Sequence, residues 1–155
     1  MPEKRARPFT PRQERIANVA IKAVSAMNTW VYRISGGKVG GRFLRGAPVM
    51  LLTTTGRRSG RRRTVPVLYL RRGEDVVIAA SKGGMSQHPL WYRNLEANPE
   101  VEIEIGTERR AMRARTATAD EKAELWPSLV AIYRDFDDYQ ARTERDIPVV
   151  ILSPR

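Results

Sequence analysis

Between Pro48 and Gly84 the chain runs through three short apolar segments, Val49–Leu52, Val65–Leu70 and Val76–Ala80, each cut off by a turn. Gly56-Arg57-Arg58-Ser59-Gly60 parts the first from the second, Arg71-Arg72-Gly73-Glu74 the second from the third, and Ser81-Lys82-Gly83-Gly84 closes the series. Apolar runs of this length between glycine turns read as strands, because a helix needs roughly ten residues or more. Connections this short leave no room for a parallel crossover, so the strands are expected to be antiparallel neighbours. A β-hairpin over Ala47–Thr54 and Thr64–Arg71, with a strand over Asp75–Ala80, follows, and a doubly wound nucleotide fold is disfavoured.

The rest of the chain supplies covering helices and further strands. Residues 1 to about 10 hold two prolines and three basic residues and read as a flexible basic arm. From Arg12 to about Tyr32, Ile16, Val19, Ala20, Ala23, Val24, Met27, Trp30 and Val31 recur at three and four, the pattern of an amphipathic helix expected to cover one side of a sheet. Pro89 opens a short helix, Leu90 to Ala97. Glu100 to Ile105 alternates strictly, and its glutamates are expected on a solvated face, paired with Arg110, Arg113 or Arg115 of a partner strand from Arg109 to Thr116. Thr118 and Glu121 form a capping-box pattern for a helix reaching about Tyr133, and a second short helix is expected over Asp135–Glu144. Ile147–Leu152 reads as a strand buried on both faces. About six mainly antiparallel strands with flanking helices give an α+β domain over residues 11–155, best closed as a small split barrel.

Chemistry is constrained by what is scarce. One histidine and no cysteine leave no metal constellation, no thiol and no Ser–His–acid triad. A bound cofactor would therefore carry any difficult chemistry. The net charge of +11 calls for an anionic partner, and Arg57, Arg58, Arg61, Arg62 and Arg63 concentrate it in one loop. Glycine backbone and arginine forks suit phosphate or carboxylate, while the missing Lys-Ser/Thr ending excludes a Walker loop. No aromatic residue lies beside this loop to stack a base, so nucleic acid is not expected as a partner. Ser81-Lys82-Gly83-Gly84 could hold a phosphate or the edge of a planar heterocycle.

Taken in order, Thr53–Gly60, Arg63-Thr64-Val65-Pro66, Ala79–Gly84 and Pro89–Pro99 resemble the deazaflavin-dependent nitroreductase family of actinobacteria. The likeness extends to Met27–Trp30, Trp126-Pro127 and Ile147-Pro148. It implies a split β-barrel, similar to flavin mononucleotide-binding ones, that carries coenzyme F420, a deazaflavin with a phosphate and an oligoglutamate tail. By that resemblance Arg57, Arg58 and Arg63 hold phosphate and tail, and Ser59 and Gly60 shape the loop. Thr64, Val65, Pro66, Ala79, Ala80, Ser81 and Lys82 line the ring, and Trp91 and Asn94 complete the pocket. Tyr133 would act on the acceptor, with Leu68 and Phe136 also lining the substrate side; these last two stand where the family has tyrosines.

The implied activity is a hydride transfer from reduced F420 to a small-molecule acceptor, a quinone, enone or nitroaromatic. A non-catalytic binder of deazaflavin or a fatty acid, and a flavin mononucleotide oxidoreductase on the same barrel, remain open at this point. A cytoplasmic location is expected, with peripheral contact at the inner face of the cell membrane through the basic amphipathic helix.

Overall fold

The computed structural model describes residues 7–42 and 46–155. Helix α1 spans Pro11–Ile34 and β1 Val49–Thr55; β2 (Arg62–Leu68), β3 (Leu70–Arg72) and β4 (Asp75–Ala79) follow. Beyond a short 3-10 turn at Lys82–Gly84 come α2 (Leu90–Ala97), β5 (Glu100–Ile105), β6 (Glu108–Thr116), α3 (Ala119–Ile132), α4 (Asp135–Arg142) and β7 (Val149–Pro154). All strand pairs are antiparallel, in the order β2-β1-β5-β6-β7-β4-β3.

The sheet has seven strands rather than six, because the second apolar run changes partners. Up to Leu68 it pairs with β1, where Val49 faces Leu68; from Leu70 it pairs with β4, where Leu70 faces Val77. The break falls at Tyr69, whose N–H donates to Pro48 O at 3.2 Å. One continuous segment thus touches both ends of the sheet, which curls it into a half-barrel.

Alternation along the strands builds two apolar layers. Met50, Leu52, Ile78, Ile103, Met112, Val150 and Leu152 fill the barrel interior, with Leu95 of α2. On the other face Val77, Val149 and Ile151 meet Leu125, Leu129, Tyr133 and Phe136 from α3 and α4. β7 is therefore buried on both sides, as its composition predicts. The Thr118 capping box is present as well, with Glu121 reaching back to the Thr118 N–H.

Two sequence expectations are overturned. The apolar stripe of α1 does not cover the sheet: Ile16, Val19, Met27 and Trp30 are 63, 72, 68 and 66% exposed. The opposite side, Glu14, Asn18, Ser25, Thr29 and Tyr32, faces the protein. Periodicity fixes which residues share a side of a helix, not which way that side turns. The β5 glutamates do not form a solvated row either. Glu104 is only 6% exposed and binds Arg33 of α1 at 2.8 Å and Arg109 at 3.2 Å, while Glu102 binds Arg62 at 3.1 Å. Arg110 and Arg115 pair instead with Glu108 and Glu121. Of the expected N-terminal arm, residues 1–6 lie outside the described residues. Thr10 caps α1 and the Phe9 ring lies 4.5 Å from the Arg142 guanidinium.

Candidate functional site

The basic loop is the turn between β1 and β2, and it is tied to the body by one side chain. Asn94 of α2 accepts from the Arg57 N–H at 3.2 Å and donates to Thr54 Oγ1 at 3.1 Å. Asn94 is buried, and Trp91 stands one turn before it, on the same side of α2. The residue that anchors the loop thereby also sets the aromatic wall. Replacing Asn94 with Ala would strand the buried Thr54 hydroxyl and release the loop. A loss of about 1–3 kcal/mol is expected in a urea melt, together with weaker anion binding.

Arg57, Arg58, Ser59, Gly60 and Arg63 are exposed. Arg62 is committed to Glu102, but Arg57, Arg58, Arg61 and Arg63 have no carboxylate partner among the described residues. Four unneutralised guanidinium groups on one hairpin tip make a site for a multiply charged anion. Next along β2, Thr64 Oγ1 shares a 2.8 Å hydrogen bond with Thr53 Oγ1 and accepts from Arg33 Nη2 at 3.5 Å. Val65 and Trp91 are half-buried against the interior layer, to which Ala80 also belongs. Half-buried Val65 and Trp91 are the solvent-facing part of an apolar wall in which Ala80 is fully buried, and Pro66 lies half-buried next to Val65 in β2.

The Ser81–Gly84 turn supplies polar groups. Ser81 is right-handed (φ −79°, ψ −39°), then Lys82, Gly83 and Gly84 are left-handed with φ of 45°, 62° and 76°. A right-handed residue followed by a left-handed one makes three successive N–H groups converge into a small anion-binding concavity. Here these are the N–H groups of Ser81, Lys82 and Gly83, none of which has an acceptor among the described residues. Burial draws the Lys82 amine below its ordinary pKa; nearby Glu14 opposes this, while Arg145 and Arg93 add to it.

Helix α1 bridges both halves of this region. Near its start Glu14 accepts from Ser86 N–H and Oγ at 2.7 and 2.8 Å. Near its end Tyr32 and Arg33 reach Glu104. A cavity of about 200 Å³ opens between its first turns and Lys82, Met85 and Gln87.

The expected substrate-side residues lie together but on the other face of β4. Leu68, Tyr133 and Phe136 share the outer layer, and Ala79, expected at the ring, packs there with them. Tyr133 and Phe136 are 4% and 3% exposed, their rings 5.2 Å apart and nearly perpendicular. The Tyr133 hydroxyl shares a 3.0 Å hydrogen bond with that of half-buried Tyr139. Burial, with Tyr139 beside it, raises the Tyr133 pKa far above the ordinary phenol value.

Three contributors were not legible in sequence. Arg142 Nη1 donates to Gly83 O at 2.9 Å, Arg145 to three further carbonyls around the turn, and Glu14 holds Ser86. All act across more than fifty residues, so no local spacing could have disclosed them.

Comparison with known proteins identifies the family. The model of the F420H(2)-dependent quinone reductase family matches residues 24–154. Two Mycobacterium tuberculosis H37Rv proteins are similar. Rv3178 is 45% identical over 118 residues, 76% of this chain and 99% of its own. The F420H(2)-dependent quinone reductase Rv1261c is 39% identical over 128 residues, 81% of this chain and 86% of its own. A solved F420-H2 dependent reductase (FDR-A) is 37% identical with a TM-score of 0.64, covering 68% of this chain and 94% of that one. A structure described as a domain-swapped dimer is 32% identical with a TM-score of 0.66, covering 83% and 96%.

Proposed function

The chain belongs to the F420H(2)-dependent quinone reductase family, and from that premise we propose that it passes a hydride from reduced coenzyme F420 to a quinone, with enones and nitroaromatics as further acceptors. The observation that carries this reading is the coupling of charge to an apolar wall. Unneutralised arginines stand on a loop that Asn94 ties to the helix bearing Trp91. A ligand that is anionic at one end and planar at the other suits such a site, and F420 has that form. When bound, it supplies the hydride from its C5.

The protein's own part is to bind, orient and shield. In this reading Arg57, Arg58 and Arg63 take the phosphate and glutamate tail, with Ser59 and Gly60 forming the loop. The ring lies along Thr64–Pro66 and Ala79–Lys82, edged by Trp91. The apolar wall keeps water from the hydride path, and α1 narrows the opening. Reduction of a quinone also needs protons. The Tyr133–Tyr139 hydroxyl pair is the proposed source, beside Phe136 and Leu68 on the acceptor side. A phenol is protonated at neutral pH at its ordinary pKa, so Tyr133 has a proton to offer; burial raises its pKa further, which favours a hydrogen bond to the developing oxyanion over complete proton transfer. Tyr133→Phe should lower kcat about tenfold to a hundredfold without changing cofactor affinity. An unaltered kcat would remove it from the mechanism.

Titration of the purified protein with F420, followed by assay of the reduced cofactor against quinones, enones and nitroaromatics, tests the whole reading. Absence of micromolar binding would end it.

The outward stripe of α1 supports a location for the reaction. Ile16, Val19, Met27, Trp30 and Ile34 face solvent, with Arg15 and Lys22 along one flank. No helix among the described residues is long and apolar enough to cross a membrane. An apolar stripe with a basic flank suits an anionic lipid surface, where an apolar quinone would be met. Sedimentation with anionic vesicles but not zwitterionic ones is the expected result. A dimer that no longer binds vesicles would instead give the stripe to a second copy.

A further inference from the structure

Arg145 lies between α4 and β7, outside every motif that points to the cofactor. Its guanidinium donates from all three nitrogens. Nε reaches Met85 O at 2.8 Å, Nη1 reaches Ala80 O at 3.2 Å, and Nη2 reaches Ser81 O at 2.7 Å. Nη1 also lies 3.0 Å from His88 Nδ1, which accepts in the tautomer carrying its proton on Nε2. No carboxylate forms an ion pair with Arg145 among the described residues, so three carbonyl dipoles and the His88 ring solvate this half-buried cation, with Glu14 acting only from farther off. Burial costs such a cation stability, and a turn that only had to close would not require one.

What the cation does follows from peptide geometry. In a planar trans peptide the C=O and the next residue's N–H point in opposite directions. Drawing Ala80 O and Ser81 O toward Arg145 therefore turns the N–H groups of Ser81 and Lys82 away from it. Lys82 O is taken by the Met85 N–H at 3.1 Å, which turns the Gly83 N–H likewise. Gly83 O is held by Arg142. The carbonyl side of the turn is fully occupied and its N–H side is open.

We propose that Arg145 is a positioning residue for the ring end of the cofactor site: by gripping Ala80, Ser81 and Met85 it aims the N–H groups of Ser81, Lys82 and Gly83 at an oxygen-bearing or anionic edge of a planar heterocycle. The proposal rests on the F420 reading and adds to it the residue that orients the donors. It also explains the choice of arginine. A lysine ammonium gathers its three donors on one nitrogen and cannot span carbonyls that a planar fork reaches together.

The test compares the wild type with Arg145→Lys by cofactor titration and by amide NMR of the turn. In the wild type, saturating F420 should shift the Ser81, Lys82 and Gly83 amide signals. In Arg145→Lys the Kd should rise about tenfold to a hundredfold, and those shifts should vanish while the melting temperature barely moves. Millimolar guanidinium should restore part of the affinity to Arg145→Ala but none to Arg57→Ala/Arg58→Ala; should Arg145→Ala fail to fold, the lysine variant carries the test. Wild-type affinity in Arg145→Lys would overturn the proposal, as would weakened binding with the amide shifts intact. A wild type that does not bind F420 overturns the cofactor reading itself, an outcome distinct from either.

Discussion

Replacing Arg57 and Arg58 together with Ala should weaken F420 binding by about thirtyfold to a thousandfold at low salt. Each guanidinium bonded to phosphate or carboxylate contributes about 1–2 kcal/mol at an exposed site with a multiply charged ligand, more than an isolated surface pair. The fold should not notice. Both side chains are exposed and neither has a carboxylate partner among the described residues, so stability should stay within about 0.5 kcal/mol. Salt supplies an independent check. Wild-type affinity should fall as ionic strength rises, and the double variant should fall less steeply, because fewer cations remain to be screened. A deazaflavin lacking phosphate and tail should bind both proteins alike. Arg62→Ala serves as the comparison, since its guanidinium is committed to Glu102, and its effect should be the smaller. Unchanged affinity of the double variant at low salt would show that the loop does not hold the tail.

Much of this site was legible because its parts are local. The arginine loop, the Thr118 cap and the doubly buried β7 are each written in a few consecutive residues. The antiparallel order follows from short turns, and the family likeness from ordered motifs. What could not be read depends on the curl of the sheet. The run after Thr64 is one apolar segment in sequence, yet it becomes two strands because it meets β1 on one side of Tyr69 and β4 on the other. Glu104 looks like an outward position in an alternating strand; it is buried because α1 lays Arg33 over it from 71 residues away. The stripe on α1 is legible in the sequence, but the direction it faces is not. Its polar side turns inward, where Glu14 and Tyr32 find hydrogen-bond partners, and its apolar side is left for something outside the monomer. An apolar stripe indicates that burial is favourable but not whether the same chain supplies the cover.

Gly84 is where stability and the ring end of the site meet, and Gly84→Ala should cost about 2–4 kcal/mol. A side chain there would stand 2.5 Å from the carbonyl oxygen of Tyr139 and 2.9 Å from its Cα, both backbone atoms that cannot swing aside. Its φ of +76° adds a penalty of about 1–2 kcal/mol for any residue with a β-carbon, and the forced separation of turn and α4 adds about 1–2 kcal/mol. A fall in Tm of roughly 4–16 °C follows for a chain of this size. Gly83→Ala separates the two contributions. Gly83 also has a positive φ, 62°, but nothing lies within 4 Å of its absent β-carbon, so only the backbone penalty of about 1–2 kcal/mol should appear. The functional consequence should divide in the same way. Moving α4 away from the turn draws Arg142 off Gly83 O and disturbs the donors at Ser81–Gly83, while the arginine loop on the opposite hairpin is untouched. Gly84→Ala should therefore lose affinity for a tailless deazaflavin and keep the wild-type salt dependence toward the full cofactor. Equal destabilisation by the two alanines would mean that α4 does not press on the turn as the structure has it.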